Sequence, residues 1–244
     1  MIQYGVDKGV ARIALDSPHN RNALSSALMT ELERRLTQAE TDDAVRAVEL
    51  THTGGTFCAG ADLNEARQGM DASTRRVIAL LRQIVELRKP VLASIDGHVR
   101  AGGMGLLGAC DIALAGPAST FAFSEVRLGL APAMISLTTL PRLTARAAAR
   151  YYLTGEAFDA PTAARIGLIT DAVDDIDAAT HAVLDALRQA SPQGLRETKP
   201  LTTKGVSFDG AEALAEQSAR LFASDEAREG MASFLEKRPP RWAL

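Results

Sequence analysis

Apolar and polar residues alternate in Ile2–Val6 and again in Val10–Leu15, with Asp7-Lys8-Gly9 between the two runs. Alternation on both sides of a glycine-bearing turn predicts a β-hairpin. From Leu24 the spacing changes, and Leu24, Leu28, Leu32 and Leu36 fall on one face of a helix. Val45–Thr51 reads as a strand in which Glu49 alone conflicts with full burial. Thr53–Gly60 is a turn-rich loop, followed by a helix over Thr74–Leu87 with a stripe of Val77, Leu80, Leu81, Ile84 and Leu87. Pro90 ends that helix. Val91–Asp96 is an apolar strand, Gly97–Gly103 a second glycine-bearing loop, and an apolar helix runs on through Cys110. This succession predicts an α/β fold with its site where strands end in loops. Beyond Leu140 the pattern is mainly helical: Arg142–Thr154, Ala160–Ile166 and Ile176–Gln189, with Ile169–Val173 as a strand. Ala211–Leu235 is one alanine-rich amphipathic stretch.

Composition narrows the function. With 244 residues, 46% of them hydrophobic, the chain can bury a full single core. Lys and Arg number 27 against 30 Asp and Glu, a net charge of −3, so a nucleic-acid partner is not expected. Leu128–Pro141 is charge-free but shorter than the roughly 18 residues of a spanning helix, and it holds two prolines, so no membrane partner is expected. The N-terminus lacks a basic and apolar leader, and Cys58 and Cys110 are too few for a disulfide framework or metal cluster. A soluble cytoplasmic enzyme is the expectation.

Three segments carry candidate chemistry. Thr56–Leu63 (TFCAGADL) follows a strand, and its small residues let a backbone amide face a cavity. Asp96–Gly103 (DGHVRAGG) precedes a helix, whose first amides are unpaired and favour an anion. Two such amides on one point would form an oxyanion hole. Taken alone, either loop is better explained as an ordinary glycine turn. Glu125 lies in the otherwise apolar stretch Phe121–Leu130, where a raised pKa would suit an acid or base; taken alone, it is better explained by a salt bridge to Arg127 or another arginine. Gly103–Gly108 matches G-x-G-x-x-G, but six residues separate it from the strand end at Asp96, so it reads as the inside of a closely packed helix. Asp62 and Asp111 read as loop-holding acceptors, and both cysteines as small buried hydrophobes.

In order, FCAGADL, DGHVRAGG, ACDIALA and FAFSEVRLGLAP resemble the enoyl-CoA hydratase/isomerase (crotonase) family. The likeness continues through Leu153–Glu156, Ala163–Leu168 and Glu229–Pro239, nearly the whole chain. The resemblance implies a crotonase-like spiral of ββα units over residues 1–190 and a helical C-terminal trimerisation region over 191–244. It implies an acyl-CoA thioester substrate that brings its own coenzyme A, no other cofactor and no metal, and a homotrimer or dimer of trimers. It assigns the two oxyanion amides to Ala61 and Gly102 and the acid/base to Glu125. Ala59 matches a position whose carbonyl contacts adenine, and Arg21 a basic position near the CoA phosphates. Lys237 matches a residue that reaches a neighbouring subunit's nucleotide, and Phe234 on the same segment joins the substrate contacts.

The sequence departs from the hydratase pattern at one informative place. Well-studied hydratases of the family use two glutamates, and the first falls on Gly105 here. A single carboxylate suits the family's isomerases, which move a proton between C2 and C4, or a hydration in which another group replaces the missing partner. A weakly catalytic acyl-CoA-binding subunit is a further alternative. His98 and Arg100 are read as loop residues, with a carboxylated acyl group or a CoA phosphate as the alternative for Arg100. Val99, Met104, Met134 and Ile135 are candidates for an acyl pocket or for core.

Overall fold

The computed structural model describes residues 1–62, 65, 71–205 and 207–244. β1 (Ile2–Asp7) and β2 (Val10–Leu15) pair antiparallel with Ile2 opposite Leu15. The tight turn needs two left-handed residues, and Lys8 and Gly9 supply φ of 43° and 77°. α1 (Ser26–Thr41) starts at the Ser25 cap, whose Oγ accepts from Leu28 N at 3.2 Å. It buries Leu28, Met29, Leu32 and Leu36.

Three successive segments then repeat one path. β3 (Ala47–His52) enters a large sheet, β4 (Thr56–Cys58) a small one, and α2 (Asp71–Glu86) follows. β5 (Val91–Ile95), β6 (His98–Arg100) and α3 (Gly102–Ala109) do the same. β7 (Ile112–Ala115) and β8 (Thr120–Ala122) do so again, ending in the 3-10 turn Ser124–Leu128. Equivalent strands of successive repeats pair in parallel, β3 with β5 and β5 with β7, and β4 with β6 and β6 with β8. The Thr53–Gly60 and Gly97–Gly103 loops therefore each contain a three-residue strand. Such strands are too short to show a period in the sequence.

After α4 (Ser136–Thr139), α5 (Ala145–Thr154) is capped by Thr144. β9 (Phe158–Asp159) closes the small sheet, α6 (Ala160–Arg165) follows, and β10 (Asp171–Ala172) closes the large one. β3, β5 and β7 in the middle of the large sheet are buried on both faces, their successive residues pointing to opposite sides, whereas the edge strand β1 is largely exposed. Ile13, Leu15, Val48, Leu50 and Ala93 face the main core with α1, whereas Val10, Leu92 and Leu114 face Leu184 of α7 (Ile176–Gln189). Glu49 lies on the second face, 8% exposed and 3.4 Å from Arg12.

The C-terminal reading needs correction in two places. No helix is marked by the spacing between Gln189 and Ala211, yet Pro192 opens α8 (Pro192–Lys204), where its missing N–H is harmless and Ser191 Oγ accepts from Gly194 N at 2.8 Å. Ala211–Leu235 is two helices, α9 (Ala211–Phe222) and α10 (Asp225–Glu236), because Ser224 caps Ala227 N and restarts the helix. Lys199 ties α8 to the core: its side chain is 4% exposed, and its Nζ lies 2.9 Å from Asp111 Oδ2 and donates to the carbonyls of Ile84 and Lys89. No described helix is long and apolar enough to cross a membrane.

Candidate active site

Two loops converge where β4 and β6 end. The loop after β4 is zipped to the segment before α1: Ala59 N donates to Arg21 O at 3.1 Å and Leu24 N to Gly60 O at 2.7 Å. Asn22, fully buried, clamps that segment, accepting from Ser17 N at 2.6 Å and donating to Thr56 O at 2.7 Å. Gly60 has φ of 93°, and Ala101, just before α3, has φ of 45°. Non-glycine residues at positive φ store strain, here at the point that aims the first amide of α3. A methyl group added to Gly102 would lie 3.7 Å from Ala61 N, so the residues bearing the two assigned amides adjoin. Gly102 opens its helix and has no carbonyl four residues back within it, and neither amide donates to an acceptor among the described residues.

A cavity of about 590 Å³ opens on these loops. Ala59, Ala61, Gly102, Arg21 and Glu125 all line it, so five of the seven site residues expected from the sequence meet in one place. Phe234, 82% exposed, and Lys237, in the left-handed cap of α10, are outside this lining. Leu63 of the FCAGADL motif lies outside the described residues.

Glu125 stands on the 3-10 turn, and its Oε2 is buried without a hydrogen-bond partner among the described residues. Burial pushes its carboxyl pKa up, and a hydrogen bond from its own backbone N–H offsets part of that rise. The alternative of a salt bridge to Arg127 is not realised: Arg127 donates to Thr154 O at 3.3 Å. Asp62 also lines the cavity and takes a long, 3.4 Å bond from Asn20 Nδ2.

Gly105 is buried, and the space beside it is filled. A methyl group there would lie 2.7 Å from Ile135 Cγ2 and 3.3 Å from Leu81 Cδ1. The other glycines of G-x-G-x-x-G are close-packing contacts too: added methyls would meet Cys58 O from Gly103 and Thr138 O from Gly108, each at 2.7 Å. No phosphate loop is involved.

Met134 and Ile135 line the cavity, but Val99 and Met104 are fully buried core. Arg100 does not reach the cavity lining; it donates to Thr120 O at 2.6 Å and Thr120 Oγ1 at 2.7 Å, and His98 Nδ1 meets that same hydroxyl. Asp111 holds Val91 N at 2.7 Å, the loop-holding role expected. Cys58 and Cys110 are buried, their thiols pushed up to about 12 by desolvation. Among the described residues, no group of His, Cys, Asp and Glu is placed to hold a metal.

The chain matches the enoyl-CoA hydratase/isomerase family over residues 5–243. It belongs to that family. An enoyl-CoA hydratase of known structure from Mycobacterium avium is 59% identical, with a TM-score of 0.80 over 99% of this chain and 98% of that one. An enoyl-CoA hydratase/isomerase from Marinobacter aquaeolei is 29% identical and superimposes with a TM-score of 0.94 over 100% of this chain and 99% of that one. A mevalonyl-coenzyme A hydratase of Aspergillus fumigatus is 32% identical over 94% of this chain and 90% of its own length. The repeated β-β-α path is thus the crotonase fold, and the chain is an enzyme of the crotonase superfamily.

Asn22 escaped the sequence reading as a site residue. The only signal was a polar residue between positions needed at two loops, which spacing alone does not separate from a surface turn. Val77, Leu128 and Leu130 line the cavity as well, yet the sequence marks them only as apolar.

Proposed function

We propose that this protein hydrates an enoyl-CoA thioester with Glu125 as its sole proton carrier. The observation that carries the reading is the pairing, in one cavity, of two adjacent backbone amides with a desolvated carboxylate. The amides of Ala61 and Gly102 would hold the thioester oxygen, on which negative charge grows as the enolate forms. The Glu125 carboxylate takes a proton from water as the water oxygen bonds to C3 and the C2–C3 π pair moves toward the thioester carbonyl. The resulting carboxylic acid returns that proton to C2 as the enolate collapses. Water has then added across the double bond and Glu125 is regenerated. Burial helps both halves, because a carboxylate with a raised pKa is a stronger base and stays protonated long enough to act as an acid. Arg21 and Ala59, exposed and half-buried at the rim, suit the CoA phosphates and adenine.

One observation favours a second reading. Gly105 carries no side chain, and Ile135 and Leu81 fill the space beside it, so that helix position brings no second carboxylate to the cavity. A 1,3-proton shift needs one base and no water: Glu125 would take a proton from C2 of a 3-enoyl thioester and return it to C4. Both readings need no cofactor beyond the coenzyme A of the substrate.

Incubation with matched 2-enoyl- and 3-enoyl-CoA in D₂O, followed by NMR, separates them. A 3-hydroxyacyl product from the parent and none from Glu125→Gln supports hydration. Interconversion of enoyl isomers without a hydroxy product supports isomerisation. Binding of CoA esters without either reaction would make the chain an acyl-CoA-binding subunit and overturn the catalytic reading.

Phe208, Phe222, Phe234 and Leu235 on the C-terminal segment are 98, 68, 82 and 79% exposed, apolar surface that supports a homotrimer or dimer of trimers, with Lys237 and Phe234 serving a neighbour's site. Sedimentation analysis tests this; a monomer at micromolar concentration refutes it. A cytoplasmic location belongs to the same reading.

A further inference from the structure

The backbone around Ile135 is held from several sides. Its carbonyl accepts from Thr139 Oγ1 at 2.7 Å and Thr139 N at 3.0 Å, and Thr139 Oγ1 is 2.5 Å from Tyr152 OH. Thr138 Oγ1 donates to Gly105 O at 2.9 Å, tying α4 to α3. α4 can come this close because Gly105 and Gly108 have no side chains: a methyl on Gly108 would sit 2.7 Å from Thr138 O. Glycine inside a helix costs about 1 kcal/mol relative to alanine, so close approach is what these positions obtain in return. The Ile135 side chain is 2% exposed, lines the cavity on one side and meets Gly105 on the other. It is therefore a wall of the cavity, with Gly105 and Leu81 packed directly behind it. The neighbouring lining is apolar, from Val77, Leu128, Leu130, Pro132 and Met134.

We infer that Ile135 is a specificity-determining residue that closes the end of the acyl compartment, restricting it to short, uncharged acyl chains. The inference rests on the reading that the cavity takes an acyl-CoA. Because the backbone is pinned at Thr138, Thr139 and Gly105, shortening the side chain deepens the cavity by the atoms removed and leaves the backbone wall in place. Ile135→Ala removes three carbon atoms, and each methylene of a longer acyl chain admitted there is worth ~0.8 kcal/mol, about fourfold in affinity.

The test is calorimetric binding of saturated butanoyl-, hexanoyl- and octanoyl-CoA, which needs no turnover, to the parent, Ile135→Ala and Ile135→Val. The octanoyl-to-butanoyl affinity ratio should rise about tenfold or more in Ile135→Ala and about two- to fourfold in Ile135→Val. Leu153→Ala, at a side chain 75% exposed and outside the cavity lining, should leave the ratio unchanged. If Ile135→Ala does not fold, Ile135→Val decides. A folded variant that binds these esters with the parent's ratio overturns the inference and leaves the acyl-CoA reading intact. A parent that binds no CoA ester overturns the acyl-CoA reading itself, and the inference with it.

Discussion

Replacing Gly60 with alanine tests whether the two amides hold the reacting oxygen. Gly60 has φ of 93°, where an L-residue is strained by ~1–3 kcal/mol. Its methyl group would lie 2.8 Å from Ala101 Cβ, 3.2 Å from Gly102 N and 3.3 Å from Arg100 O. Two of these three neighbours are backbone atoms, so relief requires the loop after β4 to part from the start of α3. The lower unfolded-state entropy of alanine recovers only ~0.4–1 kcal/mol, and strain wins. A net loss of ~1–2 kcal/mol, at about 2–4 °C per kcal/mol for a chain of this length, lowers Tm by ~2–8 °C. The rate should suffer more. Parting the loops disables one donor, and losing a donor costs ~2.7–4 kcal/mol of transition-state stabilisation, a 10²–10³-fold fall in kcat. Thermal unfolding and steady-state turnover, the latter well below both melting temperatures, measure the two effects separately. A folded Gly60→Ala protein with kcat within about threefold of the parent would refute the assignment of Ala61 and Gly102 to the oxygen.

Other substitutions probe the rest of the site and its frame. Glu125→Gln keeps the shape and should lower turnover by ~10²–10⁴-fold. Because burial raises the folded-state pKa of Glu125, the folded chain holds that proton more tightly than the unfolded chain, and this group's contribution to stability falls as pH rises between the two values. Glu125→Gln should therefore melt above the parent at pH 7, with the gap closing as pH falls from the raised value to the ordinary glutamate value of about 4.3; equal melting at pH 7 would contradict a costly buried charge. In the parent, kcat/KM should fall with acid along a limb lying above that ordinary value. Lys199→Met leaves Asp111 and two carbonyls without their partner and should cost ~3–5 kcal/mol in urea unfolding, whereas a loss under about 1 kcal/mol would mean that α8 is held by other contacts. Cys58 and Cys110, buried with thiols near 12, should react with a thiol reagent only after denaturation; fast labelling of the native protein would count against their burial.

Long periodic elements were legible from the chain alone. The hairpin, α1, α2 and α7 follow the predicted spans closely, because each buries one face and repeats its apolar residues at the period of that face. The small sheet was not legible. Its strands are two or three residues long and are held by neighbours distant in sequence, parallel for β4, β6 and β8 and antiparallel for β9, so no local pattern records them. The break at Ser224 was missed for a related reason: a cap is a hydrogen bond, and the apolar stripe runs past it.

The sequence by itself determined the order of the elements, the pair of glycine loops, the lone Glu125 and the missing carboxylate at Gly105. These are properties of residue type and spacing, and folding does not alter them. Only the tertiary structure decided which residues share the cavity. It brought Arg21, Ala59, Ala61, Gly102 and Glu125 to one wall-lined space, kept Arg100 and His98 bound to Thr120, and sent Val99 and Met104 into the core. It also showed that the Gly105 position is packed by Ile135, thirty residues further on in a different helical segment. Contacts of that kind depend on how α3 and α4 approach, and close packing between elements distant in sequence leaves no mark on the spacing within either one.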